Sequence, residues 1–298
     1  MSARALAPGL LGDNSADLAQ ERRRENRMML ALTLPALIVA GVLMLVPVGW
    51  LFSLSFVGAD GGLSVENYSR IWTDGAYVAI FVTTFKIALL VTALCVGLGY
   101  PVAYVMAILP ERWSRLVMLL VLVPFWTSLL VRTYAWLVLL QRRGVVNTLL
   151  QDLGLISKPL MLVNNMTGTV IGMVHVMLPF LILPLFASLR SIDCNLTRAA
   201  ANLGAGPTRA FFTVFLPLTM PGLVAGTMMV FVMCLGFYIT PALLGGGKVN
   251  MIAQRIEQSV SLFPTWGPAA ALAVVLLVLT AGFLGASWLI VRRLKVEV

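Results

Sequence analysis

The chain has 298 residues, 60% of them hydrophobic and 11% charged, and a mean hydropathy of +0.95. Soluble domains are roughly 45–50% apolar and 25% charged, so a water-soluble globule is excluded, whereas hydrocarbon accommodates such a chain one helix of about 20 residues at a time. The net charge of +9 does not point to a polynucleotide, because the cations stand in short clusters between apolar runs and a multi-span topology accounts for them.

In chain order, residues 1–28 are polar and contain Arg22, Arg23, Arg24 and Arg27, which reads as a disordered tail. The apolar run that follows, 29–56, is too long for a signal-peptide core and is expected to remain as an anchor. Further apolar runs at 77–109, 114–141, 166–189, 217–244 and 269–291 are each long enough at 1.5 Å per residue to cross about 30 Å of hydrocarbon. Six transmembrane helices are expected, in an all-α integral membrane fold.

With the N-terminus inside, thirteen of the 21 Lys and Arg residues fall in cytoplasmic segments and six in external loops, Lys86 and Arg132 being intramembrane. Positive charge is retained on the cytoplasmic side, so both termini are expected to be cytoplasmic. Prolines such as Pro101, Pro124, Pro179, Pro184 and Pro221 fall inside or at the ends of the runs and read as kinks around a cavity or as ordinary membrane-helix prolines. Gly168-xxx-Gly172 and Gly222-xxx-Gly226 are candidate sites of close helix approach. Cys95, Cys194 and Cys234, far apart and without a CxxC, imply neither a disulfide framework nor a zinc site.

The segment from Arg190 to Leu216 is the longest internal cytoplasmic stretch and it is patterned. Asp193 or Asn195 can cap a helix; Leu196, Ala199, Ala200 and Leu203 share one face; Gly204 can close it in the left-handed conformation. A second turn then starts at Pro207 or Thr208 and carries Phe211, Phe212 and Phe215 into Pro217. Such a helix is either a docking surface for a soluble partner or an interfacial cap on the bundle.

The run RAAANLGAGPTRAFFTVFLPLTMPG, Arg198 to Gly222, resembles the EAA loop of the membrane subunits of binding-protein-dependent ABC importers, with Ala199, Ala200, Gly204, Leu216 and Pro217 matching. Arg198 stands where that family usually carries glutamate. LGYPVAYVMAILP, VPFWTSLLVRTYAWLVLL and ITPALLGGGKVNMI are similar to segments of spermidine/putrescine-type permeases. The resemblance implies a MetI-like permease domain over 29–292, with a coupling loop at about 190–216 and a cytoplasmic C-terminal tail at 293–298. It implies an inner-membrane location and a coupling role for Arg198, Ala199, Ala200, Leu203, Gly204, Phe211 and Phe212. It also implies a second permease subunit, two copies of an ABC ATPase that bind ATP and magnesium, and an extracytoplasmic solute-binding protein.

The chain has no G-x-x-x-x-G-K-[ST]: Gly245-Gly246-Gly247-Lys248-Val249 lacks the spacing and the hydroxyl. G-x-S-x-G and H-E-x-x-H are absent as well, and the lone His175 reads as a packing or pathway residue. No enzymatic activity and no cofactor of its own is expected. Lys86 and Arg132 each lie about ten residues from the external end of their run, roughly 15 Å at 1.5 Å per residue. They either share one outward vestibule or snorkel to headgroups. Trp126, Tyr134, Trp136 and Tyr238 are candidate pathway residues or members of an interfacial belt. All twelve acidic residues lie outside the spans, which disfavours an ion-coupled secondary transporter. The resemblance implies a polyamine as the solute, whereas Lys86 and Arg132 would suit an anionic or zwitterionic compound better.

Overall fold

A computed structural model describes residues 13–294 apart from Ala59 and Pro264, and among them the chain forms thirteen α-helices. Residues 1–12 and 295–298, where parts of both expected tails fall, lie outside the described residues. The chain divides after Leu54 into two units. The first contains α1 (Asp13–Leu54), a single helix of 42 residues with Pro35 and Pro47 inside it. The expected disorder of the tail is corrected from Asp13 onward: Ala, Leu, Gln, Glu and Arg dominate residues 16–27, and these strong helix formers extend the helix before the apolar run begins.

The second unit opens with the short α2 (Glu66–Thr73) and the 34-residue α3 (Gly75–Ile108), whose N-terminus is capped by the Asp74 carboxylate accepting from the Ala76 N–H at 2.9 Å. After α4 (Glu111–Leu122) comes a 3-10 turn, Val123–Trp126, and then α5 (Leu129–Leu140) and α6 (Val145–Asp152). The long α7 (Met166–Arg190) is capped by Asn165, which accepts from the Gly168 N–H at 3.0 Å. It leads through α8 (Cys194–Asn202) and α9 (Pro207–Ala210) into a π turn (Phe211–Phe215) and α10 (Leu216–Leu235). The last three helices are α11 (Ile239–Leu244), α12 (Ile252–Leu262) and α13 (Gly267–Leu294).

Among the described residues five helices are long and apolar enough to cross a membrane: Gln20–Leu54, Gly75–Ile108, Met166–Arg190, Pro207–Leu235 and Gly267–Leu289. The third expected span, 114–141, is broken. Its two halves, Glu111–Trp126 and Leu129–Asp152, meet at 98°. Pro124 carries no N–H to continue a helix, and Thr127 and Ser128 take extended conformations (ψ 146° and 137°) before α5 restarts. The fifth run is shifted rather than continuous over 217–244: helix extends without interruption from Pro207 to Leu235, stops at Gly236, and resumes as the separate α11.

A three-helix core holds the second unit together. Ile87, Val91 and Cys95 of α3 pack with Met173, Met177 and Leu181 of α7 and with Val230, Phe231 and Cys234 of α10, all at most 1% exposed. Cys95 and Cys234 are free and buried, consistent with packing; the side chain of Cys194 lies outside the described residues. A second cluster joins Tyr77 and Phe81 of α3 to Ile252 of α12 and Leu272 of α13, and the Ile252 N–H donates to Thr84 Oγ1 at 2.9 Å.

Candidate functional site

The patterned loop folds as its residues dictate. Asp193 caps α8 by accepting from the Asn195 N–H at 2.9 Å. At the other end Gly204 takes φ +84°. The Ala205 N–H donates to Ala200 O (3.0 Å) and the Gly204 N–H to Ala201 O (2.9 Å), the paired 6→1 and 5→2 bonds of a Schellman cap. The helix therefore ends at a fixed angle. Its face differs from the sequence expectation in one residue: Leu196, Ala199 and Leu203 are exposed, whereas Ala200 is buried at 9%. Arg198 is also exposed, and Leu203 reaches 89%, an apolar side chain standing almost free in solvent at the tip.

Beneath α8 lies an aromatic cluster. Phe211 stacks on Phe215 at 5.7 Å between centroids and meets Phe212 edge-on at 5.2 Å, while Tyr104 of α3 meets Phe215 edge-on at 5.5 Å. Phe212 remains 60% exposed. The π turn has a local cause: Pro217 cannot donate to Thr213 O, and the Leu216 N–H reaches back five residues to Phe211 O. Phe211 and Phe215 both lie edge-on to Tyr104 of α3, and α8 sits on a base continuous with a membrane span.

The second candidate region is built on α5, which packs against α7 and α11. The hydroxyls of Thr133 and Thr240 lie 3.3 Å apart and tie α5 to α11. Trp136 meets His175 of α7 edge-on at 5.5 Å. Arg132, one turn before Trp136, is half-buried, within electrostatic reach of His175. Its Nε and Nη1, and His175 Nδ1, are buried without a hydrogen-bond partner among the described residues. Tyr134, Trp126 and Tyr238 are instead exposed, at 53%, 76% and 39%. The two intramembrane cations, Lys86 and Arg132, stand on different helices, α3 and α5. Lys86 lies on the exposed face of α3 beside Val82 and Leu89.

Residues 98–296 match the family model of binding-protein-dependent transport system inner membrane components. The chain is 34% identical over 243 residues to the spermidine/putrescine transport system permease protein PotB of Haemophilus influenzae, covering 80% of this chain and 85% of that one. It is 33% identical over 235 residues to the protein of that name in Escherichia coli K12, covering 79% and 85%. This chain belongs to that permease family. Its fold is similar to that of a chain in the crystal structure of a bacterial ABC transporter involved in the import of the acidic polysaccharide alginate, at TM-score 0.65 and 15% identity, covering 92% of this chain and 98% of that one.

The permease is thus a membrane-embedded transport subunit of an ABC importer. The cap at Asp193 and the left-handed Gly204 were readable from its sequence. Tyr104, which supports the phenylalanine cluster, was not singled out, since one tyrosine in an apolar run carries no local signal. The junction of Arg132, Trp136 and His175 had a partial signal in the four-residue spacing of Arg132 and Trp136, which places both on one side of a helix.

Proposed function

We propose that the permease forms half of a translocation pathway for a polyamine of the spermidine or putrescine class. The solute is delivered by an extracytoplasmic binding protein and moved by a pair of ATPases that grip the α8 surface. The identity of 33–34% over about four fifths of the chain to permeases named for those solutes carries this reading. The exposed α8 face, with Leu196, Ala199, Leu203 and Phe212 raised on the aromatic base, has the apolar character of a helix laid into a groove. ATP and magnesium belong to the ATPase in this scheme. A second permease subunit, a paralogue rather than a copy, completes the pathway and supplies the carboxylates that a polycation needs to replace its water.

Arg132 favours a second reading. A guanidinium with buried, unpaired nitrogens in a chain whose six apolar runs hold no acidic residue suits an anionic or zwitterionic solute, such as an amino-acid-like or opine-like compound, better than a cation. The complete importer, assayed with its binding protein loaded with spermidine, putrescine or a carboxylated amine, separates the two. Stimulation of ATP hydrolysis by the amines alone is expected, with Arg132→Ala retaining at least half of the transport rate. Stimulation by the acids alone, with transport lost in Arg132→Ala, would replace the polyamine by an anion.

The excess of Lys and Arg in one set of segments supports a cytoplasmic position for both termini. Single cysteines at positions 62 and 248 should then react with a membrane-impermeant maleimide in right-side-out vesicles, while cysteines at 112 and 205 react only after permeabilisation. The inverse pattern would reverse the orientation and move α8 out of reach of any ATPase.

A further inference from the structure

A cavity of about 440 Å³ opens where the end of α5 meets the Met161–Asn164 segment leading into α7. Its floor is apolar, formed by Leu137, Leu140, Leu162 and Val163, and its polar rim carries Arg142, Asn164 and Lys248. Neither Arg142 nor Lys248 is in an ion pair among the described residues.

The walls are held by bonds that involve no ligand. Asn147, completely buried, donates from Nδ2 to Gln141 O and to Leu160 O, both at 3.0 Å, and accepts from the Leu160 N–H at 2.8 Å. One amide thereby joins the end of α5 to the facing segment. On the opposite side the Asn164 N–H donates to Leu244 O at 2.9 Å, and the Lys248 N–H to Gly245 O at 3.0 Å. Asn164 and Gly246 both have positive φ, 61° and 55°, and a Cβ on Gly246 would stand 2.5 Å from Asn164 Cβ. Val249 and Met251, directly after Lys248, are buried at 4% and 0%. The two cations are therefore carried on fixed backbone, and a positive φ at asparagine is the kind of local strain that persists where the surroundings over-determine it.

An apolar floor under two unpaired cations selects a ligand with a compact anion joined to an apolar body. A soluble polyamine is repelled by the rim, and a small free anion leaves the floor unused. The cavity lies at the end of a half-helix whose outer face is apolar, with Val131, Tyr134 and Val138 exposed at 62%, 53% and 56%, and Met161 on the cavity wall is 57% exposed. Apolar surface thus runs from the cavity along α5 and can pack acyl chains, while the cationic rim at its end can pair with a headgroup phosphate. Basic pockets between membrane helices bind anionic headgroups in this way. We propose that this cavity is a site for an anionic phospholipid of the phosphatidylglycerol class, which holds the end of the broken span in place.

The test uses the permease with its co-purifying subunits in nanodiscs of phosphatidylcholine containing a photoreactive phosphatidylglycerol. Crosslinks are mapped by peptide, and a photoreactive phosphatidylcholine serves as the reference. Phosphatidylglycerol should crosslink to peptides covering 137–142 and 161–164, and the double substitution Arg142→Gln, Lys248→Gln should lower that signal about tenfold while leaving the phosphatidylcholine signal unchanged. Arg142→Lys with Lys248→Arg, which keeps both charges, should restore it and so separates lost charge from a misfolded rim. Undiminished crosslinking in the double glutamine variant would overturn the proposal. So would displacement of the lipid by millimolar inorganic phosphate, which would indicate a free-anion site. Loss of binding-protein docking with lipid crosslinking intact would make the rim a protein-docking surface and overturn it equally.

Discussion

Gly226→Leu should leave almost no folded permease. A Cβ at Gly226 would lie 3.0 Å from Leu181 O and 3.2 Å from Leu181 Cα, and one at Gly222 would lie 2.3 Å from Ser188 Cβ and 3.0 Å from Pro184 O. These neighbours belong to α7, and most of them are backbone, which cannot rotate away. Overpacking a close-packed core costs about 1–3 kcal/mol even where side chains can adjust. Against backbone in the α7–α10 contact, about 3 kcal/mol or more is expected, a large share of a net stability of roughly 5–15 kcal/mol. Size-exclusion chromatography of a fluorescent fusion should show the monodisperse peak lost for Gly226→Leu. Gly97→Leu is the control: it lies on an exposed face of α3 with nothing within 4 Å of its Cβ position, and leucine is the better helix former by roughly 1 kcal/mol. Equal recovery of the two variants would show that α7 and α10 do not need this close approach.

Gly204→Val should do the opposite, sparing the fold and abolishing transport. Nothing lies within 4 Å of a Cβ at Gly204, so no steric clash arises. What opposes the substitution is φ +84° itself, which costs a β-branched residue roughly 1–2 kcal/mol or more. Relief of that strain breaks the bonds to Ala200 O and Ala201 O, and the tip bearing Leu203 turns away. A docking helix misaimed by one turn presents the wrong face to its partner, so transport and solute-stimulated ATP hydrolysis should fall at least tenfold with the chromatographic profile unchanged. Gly204→Asn should keep much of the activity, because asparagine enters the left-handed region more readily than other residues. Normal stimulation in Gly204→Val would mean that the angle of α8 does not govern coupling.

Of the two glycine pairs singled out by spacing, only one is a helix–helix contact of the expected kind. Gly222 and Gly226 face α7, whereas Gly168 abuts the backbone of Leu162 and Gly172 abuts Thr240 and Leu244 of α11. The spacing records that a Cβ is unwelcome at four positions and says nothing about what presses against each.

The sequence alone determined the features that depend on composition and on neighbours within a few residues. Apolar runs of sufficient length made the chain a membrane protein, and a helix start at Asp193 or Asn195 and a stop at Gly204 followed from capping chemistry between near neighbours, Asp193 being the cap that forms. The tertiary structure decided the features that depend on direction and on distant packing. Window hydropathy is a sum without direction, so 114–141 reads as one span although Pro124 and the extended Thr127–Ser128 step turn it by 98°. Helical periodicity placed Ala200 on the face shared by Leu196, Ala199 and Leu203, yet Ala200 is covered and Leu203 stands in solvent. Trp136 meets His175, with Arg132 within electrostatic reach, because α5 packs against α7, some forty residues further along the chain, and no local rule reaches that far: burial belongs to the surface that arrives, which only the packed helices specify.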